Sequence, residues 1–304
     1  MRYVYEPRQD RVSAGRVMTS RHGGAGWRII LMPLVLVMSA MVLPVAKSAD
    51  VPSGIERILK ARKLVVSMHA EDAVPFFMVD KSGRLYGLEI ELMFDLARKL
   101  GVDVCFQRDR KTYDEIVQSV EKREADVGVS VLSRTTKRAI SVSFSDPYVV
   151  LHHALLLNRN KTEKLSGGKK LAEWLSSSGL AIGVVKGSSY VEFAQRDYPS
   201  AQLVQFVSFD AAAQAVLKGE IHAALYDDAA VQDWISEHPE AALYIQMQIR
   251  QDREDPIAIA VNCEDTHLLQ WINVYIDTIR KDGTLDKLVS TYLKGNVWKE
   301  PSIE

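Results

Sequence analysis

Residues 87–100 read GLEIELMFDLARKL, and this stretch decides the fold of the chain. A glycine that ends a strand is followed at once by two spaced acids, Glu89 and Glu91, and by a helix with its apolar residues on one face. Gly101 then ends the helix, as glycine commonly does at this position. An ordinary amphipathic helix is the simpler interpretation, but it does not require this order of glycine, acids and apolar positions.

Composition describes a globular protein of about two lobes. The 304 residues are 47% hydrophobic and 25% charged, which is enough to bury a substantial core. The net charge of -1 argues against a large nucleic-acid-binding surface. Local basic pairs such as Lys169-Lys170 are therefore interpreted as solvated surface.

The first 49 residues predict an export signal. Four arginines between positions 11 and 28 precede an apolar run over 29–45, and Ala46-Lys47-Ser48-Ala49 supplies the small residues that a signal peptidase prefers. We therefore expect residues 1–49 to be removed and the rest to lie in the periplasm. Two alternatives stay open: translation starts at Met18, or the run is not cleaved and anchors the chain.

The cysteines and histidines predict neither a metal site nor a cofactor. Cys105 and Cys263 lie in separate apolar segments, so we expect two buried thiols, although one disulfide remains possible in an exported protein. The chain has no CxxC, HxxxH or HExxH spacing, which leaves a zinc site without support.

Strands and helices alternate along the remainder of the chain. Apolar segments predict strands over 64–68, 102–106, 127–131, 180–185, 202–206, 221–226 and 257–261. Helical periodicity predicts helices over 55–63, 89–100, 113–120, 188–197, 211–217 and 229–236, with two more near the C-terminus on either side of Asp282-Gly283. Repeated strand-helix order is typical of α/β lobes with largely parallel sheets.

Residues 87–100, together with the segment 282–287 (DGTLDK), resemble the bacterial solute-binding proteins of family 3. The resemblance covers about residues 55–295. It implies a periplasmic binding protein-like fold of type II, in which two α/β lobes are joined by two crossing strands and enclose a ligand. The first lobe would comprise residues 50–150 and 250–304, the second 151–249, with crossings near 149–152 and 247–250.

The same resemblance assigns a carboxylate site to residues 130–138, which read SVLSRTTKR. Arg138 would hold the α-carboxylate of an amino acid, because its planar fork matches two carboxylate oxygens and stays charged. Ser133 would add its hydroxyl, and Val131 its backbone. Taken alone, Arg138 would be interpreted as a surface helix residue.

Two further segments complete the implied site. Lys186-Gly187-Ser188-Ser189-Tyr190 separates a strand from a helix, where free N–H groups suit an anion, and the resemblance points to Ser189 as the contact. Helix capping by either serine is compatible with that role. Asp227 would bind the ligand's ammonium group, and Asp228 would cap the next helix, unless the register is off by one and the two exchange roles.

The side-chain pocket is less regular. Tyr113 matches a wall position of the family, but the aromatic residue expected in the loop 71–75 is replaced by Ala73, which puts the usual pair of flanking rings in doubt. Glu71 and Asp72 either face a cationic side chain or are solvated loop acids.

These features predict a non-catalytic receptor that captures a polar amino acid between two lobes and delivers it, as a monomer, to the permease of an ABC transporter. Hinge closure around the ligand would accompany binding. One alternative is an enzyme resembling cyclohexadienyl dehydratases, with a cleft carboxylate as general acid. Another is a sensor module, which an uncleaved apolar run at 29–45 would favour.

Overall fold

Two large β-sheets, each covered by helices, organise the described part of the molecule, beside one small two-stranded sheet. The computed structural model of the protein describes residues 2–4, 54–166 and 179–294. Its strands are β1 Arg2–Val4, β2 Lys63–His69, β3 Met78–Val79, β4 Leu85–Tyr86, β5 Asp103–Arg110, β6 Val127–Gly128, β7 Val142–Phe144, β8 Val149–Asn158, β9 Ala181–Val185, β10 Gln202–Phe206, β11 Ala223–Asp227, β12 Ile245–Ile257 and β13 Ala260–Asn262.

The α-helices are α1 Gly54–Ala61, α2 Leu88–Leu100, α3 Tyr113–Glu121, α4 Arg159–Ser166, α5 Tyr190–Asp197, α6 Phe209–Leu217, α7 Asp228–Glu237, α8 Thr266–Lys281 and α9 Thr284–Val289. Short 3₁₀ turns occupy Arg138–Ile140 and Pro239–Leu243, and a π-helical turn follows α9 at Ser290–Lys294.

The first sheet has the strand order β1-β5-β2-β6-β13-β7. β5, β2 and β6 run parallel, whereas β13 pairs antiparallel with both β6 and β7. We call this sheet with its helices the first lobe. Because β13 follows the second sheet in the chain, the first lobe is built from segments on both sides of the second.

The second sheet has the order β10-β9-β11-β8-β12. Its strands β9, β10 and β11 are parallel, and β8 pairs antiparallel with β11 and β12. This sheet with α4 to α7 is the second lobe. Apolar cores lie on both of its faces, one centred on Leu155 and Leu157, the other on Ala154 and Leu156. The alternation of β8 side chains across the sheet thus supplies both cores.

Strands β8 and β12 connect the lobes as an antiparallel pair. Val149 pairs with Ile257 and His152 with Glu254, after which the register shifts before Arg250 pairs with His153. Residues 149–152, where the first crossing was predicted, therefore pair with residues 254–257. The return crossing was predicted at 247–250, which lies in the same strand β12 but several residues before this paired segment.

The stretch that decides the fold behaves as its residues require. Gly87 has φ 126°, and a Cβ there would lie 2.4 Å from the carbonyl oxygen of Phe76, so only glycine fits. Helix α2 then buries Leu92, Met93 and Leu96 in the first-lobe core. Gly101, at φ 70°, ends the helix and donates its N–H to the last carbonyls.

One predicted strand is shorter in the structure, and one long strand was not predicted. The strand expected over 127–131 ends at Gly128, because the chain turns and Val131 adopts φ 49°. β12 extends from Ile245 to Ile257 although its middle is polar, since its pairing with β8 rather than apolar alternation defines it. The strand predicted over 257–261 is divided between the end of β12 and β13, and the other predicted elements agree with the structure within a few residues at their ends.

The expectation of two buried thiols is half wrong. Cys105 is buried in β5, but Cys263 follows β13 directly and is exposed, and both are free. The predicted export signal lies outside the described residues apart from Arg2–Val4, which pair with β5. Within the described ranges, no helix is long and apolar enough to span a membrane, and no cluster of potential metal ligands was found.

Candidate functional site

Arg138 opens a short 3₁₀ turn at the end of the loop that follows β6. Its side chain is 6% exposed, so it is not the surface residue that Arg138 taken alone would suggest. Its Nη1 donates to the carbonyl oxygen of Ser133 at 3.3 Å, and its Nε lies 3.8 Å from the Asp114 carboxylate. Burial lowers the pKa of Arg138, while Asp114 and Asp255 oppose that shift. An arginine remains charged under these conditions, so the buried guanidinium is available to an anion.

Glu89, the first acid of the fold-deciding stretch, holds the loop that carries Val131. Its Oε1 accepts the Val131 N–H at 2.6 Å and the hydroxyl of Tyr148. The carboxyl group is fully buried, and desolvation raises its pKa to about 7. Glu89 thus fixes the left-handed Val131 backbone at the cleft without lining the cleft itself.

Ser133 and Ser189 meet across the cleft. Their Oγ atoms are 2.6 Å apart, one from the first lobe and one from the N-terminus of α5 in the second. Ser189 occupies the N-cap position without a side-chain capping bond, which leaves its hydroxyl to Ser133. The loop before it fits closely, because a Cβ on Gly187 would lie 3.0 Å from Thr112.

Asp255, at the end of β12, is a site residue that the sequence did not indicate. Its Oδ2 accepts the Ser133 hydroxyl at 2.8 Å and the Tyr190 hydroxyl at 3.0 Å. Desolvation raises its pKa to about 6, against hydrogen bonds from Ser133 and Tyr190 and the charge of Arg138. The only signal in the sequence is an acid beside Pro256 at the start of an apolar run, which is too common to single out.

Asp227 ends β11 and is buried, as expected for the predicted ammonium site. Its Oδ1 accepts the Ala230 N–H at 2.8 Å, so Asp227, not Asp228, caps the following helix. Asp228 instead accepts the His152 N–H at 3.1 Å. Desolvation raises the pKa of Asp227 to about 7, and the charges of Asp228 and Asp255 add to the shift. The capping role predicted for Asp228 was wrong.

Two tyrosines also join the lobes. The hydroxyls of Tyr113, from α3, and Tyr226, from β11, are 2.7 Å apart. Tyr113 stacks on His69 with ring centroids 5.1 Å apart, and Tyr226 stacks on Phe209 at 5.0 Å. Desolvation raises the pKa of Tyr113 to about 12, which keeps the phenol neutral at physiological pH.

The tyrosine pair lies between two spaces, which we call the outer cavity and the inner chamber. The inner chamber measures about 10 Å³ and is lined by all six predicted ligand residues, Val131, Tyr113, Ser133, Arg138, Ser189 and Asp227, together with Ser188, Tyr190, Tyr226 and Asp255. This volume holds about one water molecule. A carboxylate can therefore enter only when the lobes part or the tyrosines move.

The outer cavity is larger, at about 330 Å³, and acidic. Six acids and two lysines line it, and Ala73 lies on its wall where an aromatic residue was expected. Asp72 accepts from Arg108 at 2.8 Å, and Asp210 accepts from the Trp234 indole at 2.8 Å. Phe209 and Trp234, which the sequence did not identify as site residues, supply aromatic walls.

Comparison with known proteins identifies the same family as the sequence motifs. A family model for bacterial extracellular solute-binding proteins, family 3, matches residues 64–295. The ABC transporter arginine-binding protein 1 of Escherichia coli (strain K12) is 24% identical over 215 residues, which cover 70% of this chain and 84% of the relative. A probable amino-acid ABC transporter-binding protein of Haemophilus influenzae is 26% identical over 241 residues, 77% of this chain and 85% of the relative.

A solved structure extends the likeness to the fold. An ancestral amino acid-binding protein, described as a precursor of cyclohexadienyl dehydratase, is 28% identical to this chain with a TM-score of 0.67. The match covers 79% of this chain and 99% of that structure. The predicted two-lobed fold of type II is thereby confirmed.

Proposed function

The chain belongs to the bacterial extracellular solute-binding proteins of family 3, and we propose that it captures a polar amino acid between its lobes and presents it to the permease of an ABC transporter. Its relatives carry names of amino-acid-binding proteins of such transporters. We further propose that it acts in the periplasm as a monomer, after removal of residues 1–49.

One observation carries the proposal: a buried arginine and a buried aspartate border the same small chamber. Arg138 comes from the first lobe and Asp227 from the second, and both have side chains that are almost fully buried. An amino acid carries the complementary pair of charges on adjacent groups. Charge-assisted hydrogen bonds in a dry site would select a ligand with both a carboxylate and an ammonium group.

The outer cavity favours an amino acid with a cationic side chain. Its lining includes Glu71, Asp210 and Glu237, and acids outnumber lysines there. The potential of such a cleft attracts positive charge. The arginine-binding relative from Escherichia coli is consistent with this preference. Asp72 contributes less than Glu71, because its carboxylate accepts from Arg108.

Ligand capture should close the lobes. The hydroxyl pairs Ser133–Ser189 and Tyr113–Tyr226 join the two lobes in the closed arrangement, and they are contacts that an open form would lose. A ligand that contacts both lobes shifts the population toward closure. Small-angle scattering should therefore give a smaller radius of gyration with a bound amino acid than without one. An unchanged profile at saturation would argue for a rigid cleft.

A thermal-shift screen of the purified protein against the twenty amino acids and a few polyamines tests the proposed function. Ligand at 100 times its dissociation constant stabilises the fold by about 2.7 kcal/mol. We expect arginine, lysine or another polar amino acid to raise the melting temperature. A screen in which no amino acid stabilises the protein would contradict the proposal.

An enzyme of the cyclohexadienyl dehydratase type is the second candidate, favoured by a specific observation. Asp227 and Asp255 are buried carboxyl groups that line the inner chamber, and their pKa values are raised to about 7 and about 6, the range that suits a general acid. Retention of an aspartate at the ammonium position favours a binder instead. Incubation with prephenate separates the two, because only the enzyme would consume it.

A further inference from the structure

The carboxylate of Asp255 lies against the hydroxyls that face the inner chamber. Ser133 donates to Asp255 Oδ2 at 2.8 Å, and Tyr190 donates to the same oxygen at 3.0 Å. Ser133 in turn lies 2.6 Å from Ser189 Oγ. A protein carboxylate therefore already occupies donors that a ligand carboxylate beside Arg138 would use.

The second oxygen of Asp255 has no such partner. Asp255 is 1% exposed, and its Oδ1 is buried without a hydrogen-bond partner among the described residues. Asp255 and Arg138 both line the inner chamber, yet the guanidinium bonds directly to Ser133 O rather than to Asp255. An unsatisfied buried carboxylate oxygen in a binding chamber needs a partner, because leaving it without one is costly.

A ligand carboxylate in this chamber would bring two acids to one set of hydroxyls. Two carboxylates that share a site cannot both stay ionised at little cost, so one of them holds a proton. A protonated Asp255 removes the repulsion, and its O–H supplies one more donor to the ligand.

We propose that Asp255 is a ligand-binding residue that takes up a proton from solvent when an amino acid enters, and donates that proton in a hydrogen bond to the ligand's α-carboxylate. No covalent bond forms or breaks apart from the O–H bond of Asp255. The inference rests on the proposed function, because it requires a ligand that carries a carboxylate.

Several charged and titratable groups face Asp255. Arg138 favours its ionised form, Asp227 and Asp228 disfavour it, and the phenols of Tyr148, Tyr190 and Tyr226 stay neutral because burial raises their pKa values. Burial already raises the pKa of Asp255 to about 6, and the ligand carboxylate adds to that shift.

Asp227 shifts protons in the opposite direction. Its pKa is raised to about 7, and a ligand ammonium beside it favours its ionised form, so binding there releases a proton. The net proton exchange of the wild-type protein thus mixes both acids, and only a variant isolates Asp255.

Calorimetric titration of wild type and Asp255→Asn, at pH 7 in two buffers of different ionisation enthalpy, measures this exchange. The probes are L-arginine, L-lysine and L-glutamine. Asparagine keeps the shape and can donate from its amide without taking up a proton. We expect Asp255→Asn to take up about one proton fewer per ligand than wild type. Between pH 6 and pH 8 the affinity of Asp255→Asn, which keeps only the proton release at Asp227, should rise with pH relative to that of wild type.

Two further variants serve as a control and as a second test. Glu254→Gln, which changes the exposed acid beside Asp255 in the chain, should keep the wild-type proton exchange. Tyr190→Phe removes a hydrogen bond that favours ionised Asp255, so it should move the loss of affinity to higher pH, and it tests the idea if Asp255→Asn does not fold.

Equal proton exchange in wild type and Asp255→Asn would overturn the inference and leave the proposed function standing. More than tenfold weaker binding by Asp255→Asn at every pH would also overturn it, because the carboxylate would then act as a charge. If none of the three probes binds either wild type or Asp255→Asn, the result contradicts the proposed function together with the inference.

Discussion

The inner chamber and the outer cavity are two ends of one cleft, and they are built differently. In the inner chamber Arg138, Asp227 and Asp255 are buried and bonded to fixed neighbours. In the outer cavity Glu71 and Glu237 are exposed. Charges interact strongly where water is excluded and weakly where it screens them. The inner end should therefore decide whether an amino acid binds, and the outer end which one.

Removal of Arg138 should give the largest effect. Arg138→Ala leaves the ligand carboxylate buried without its cation, which costs about 2 to 5 kcal/mol for truncated charge pairs. Calorimetric titration should show affinity reduced well over tenfold. Lys137→Ala, at the exposed neighbouring position, is the matched control and should bind as wild type does. Similar losses in both variants would mean that the loop, and not the guanidinium, matters.

Asp227→Asn should weaken binding by more than tenfold, because the ligand ammonium loses its counter-charge. Asparagine caps helices as well as aspartate does, so the helix keeps its cap and the melting temperature of the ligand-free protein should not fall. Asp228→Asn serves as the control. Weaker binding by Asp228→Asn alone would show that the ammonium site is one residue further along the chain.

Glu89→Gln should change stability in a pH-dependent way. The pKa of Glu89 is raised to about 7 in the fold, above the 4.5 of an unperturbed glutamate. The folded protein therefore holds a proton that the unfolded chain has released, and stability falls as the pH rises from 4.5 to about 7. Between pH 5 and pH 8 this costs wild type about 2 to 3 kcal/mol that Glu89→Gln does not lose.

Urea unfolding followed by tryptophan fluorescence at both pH values measures the difference between wild type and Glu89→Gln. Glu91→Gln, on the same helix but exposed, should follow wild type. A Glu89→Gln variant with the same pH dependence as wild type would show that Glu89 is ionised in the fold.

The smallest effect is expected at the outer cavity. Glu237→Gln removes an exposed acid, and exposed charge pairs contribute about 0.2 to 1 kcal/mol. The affinity for L-arginine should fall only a few-fold, and less in high salt than in low salt. L-glutamine affinity should not change. A loss as large as that of Arg138→Ala would mean that the two ends do not differ as we describe.

The sequence predicted the fold well wherever local chemistry determines it. The conformations of Gly87, α2 and Gly101 follow from close packing and helix capping, which depend mainly on residues that are close in the sequence. The end of β6 at Gly128 could not be foreseen, since the turn at Val131 is fixed by Glu89, which is 42 residues away in the chain.

The site residues were predicted from the family resemblance of short motifs, since Arg138 taken alone would be interpreted as a surface residue. Arg138, Ser133 and Asp227 lie in local motifs at strand ends, and the structure brings them to one chamber. Asp255 escaped detection because its contacts with Ser133 and Tyr190 depend on the register of β12 against β8, and the polar sequence of β12 does not predict that register. The exposure of Cys263 was not predicted either, because β13 ends one residue before it and the exact end of that strand is not evident from the sequence.

The most direct test of the zwitterion site changes the ligand instead of the protein. The best-binding amino acid of the screen is compared by calorimetric titration with its carboxamide, which lacks the carboxylate charge, and its Nα-acetyl derivative, which lacks the ammonium charge. Each derivative should bind more than tenfold more weakly than the parent amino acid, because Arg138 or Asp227 is left without its counter-charge. Equal affinity of either derivative and the parent would contradict the assignment of that end of the ligand.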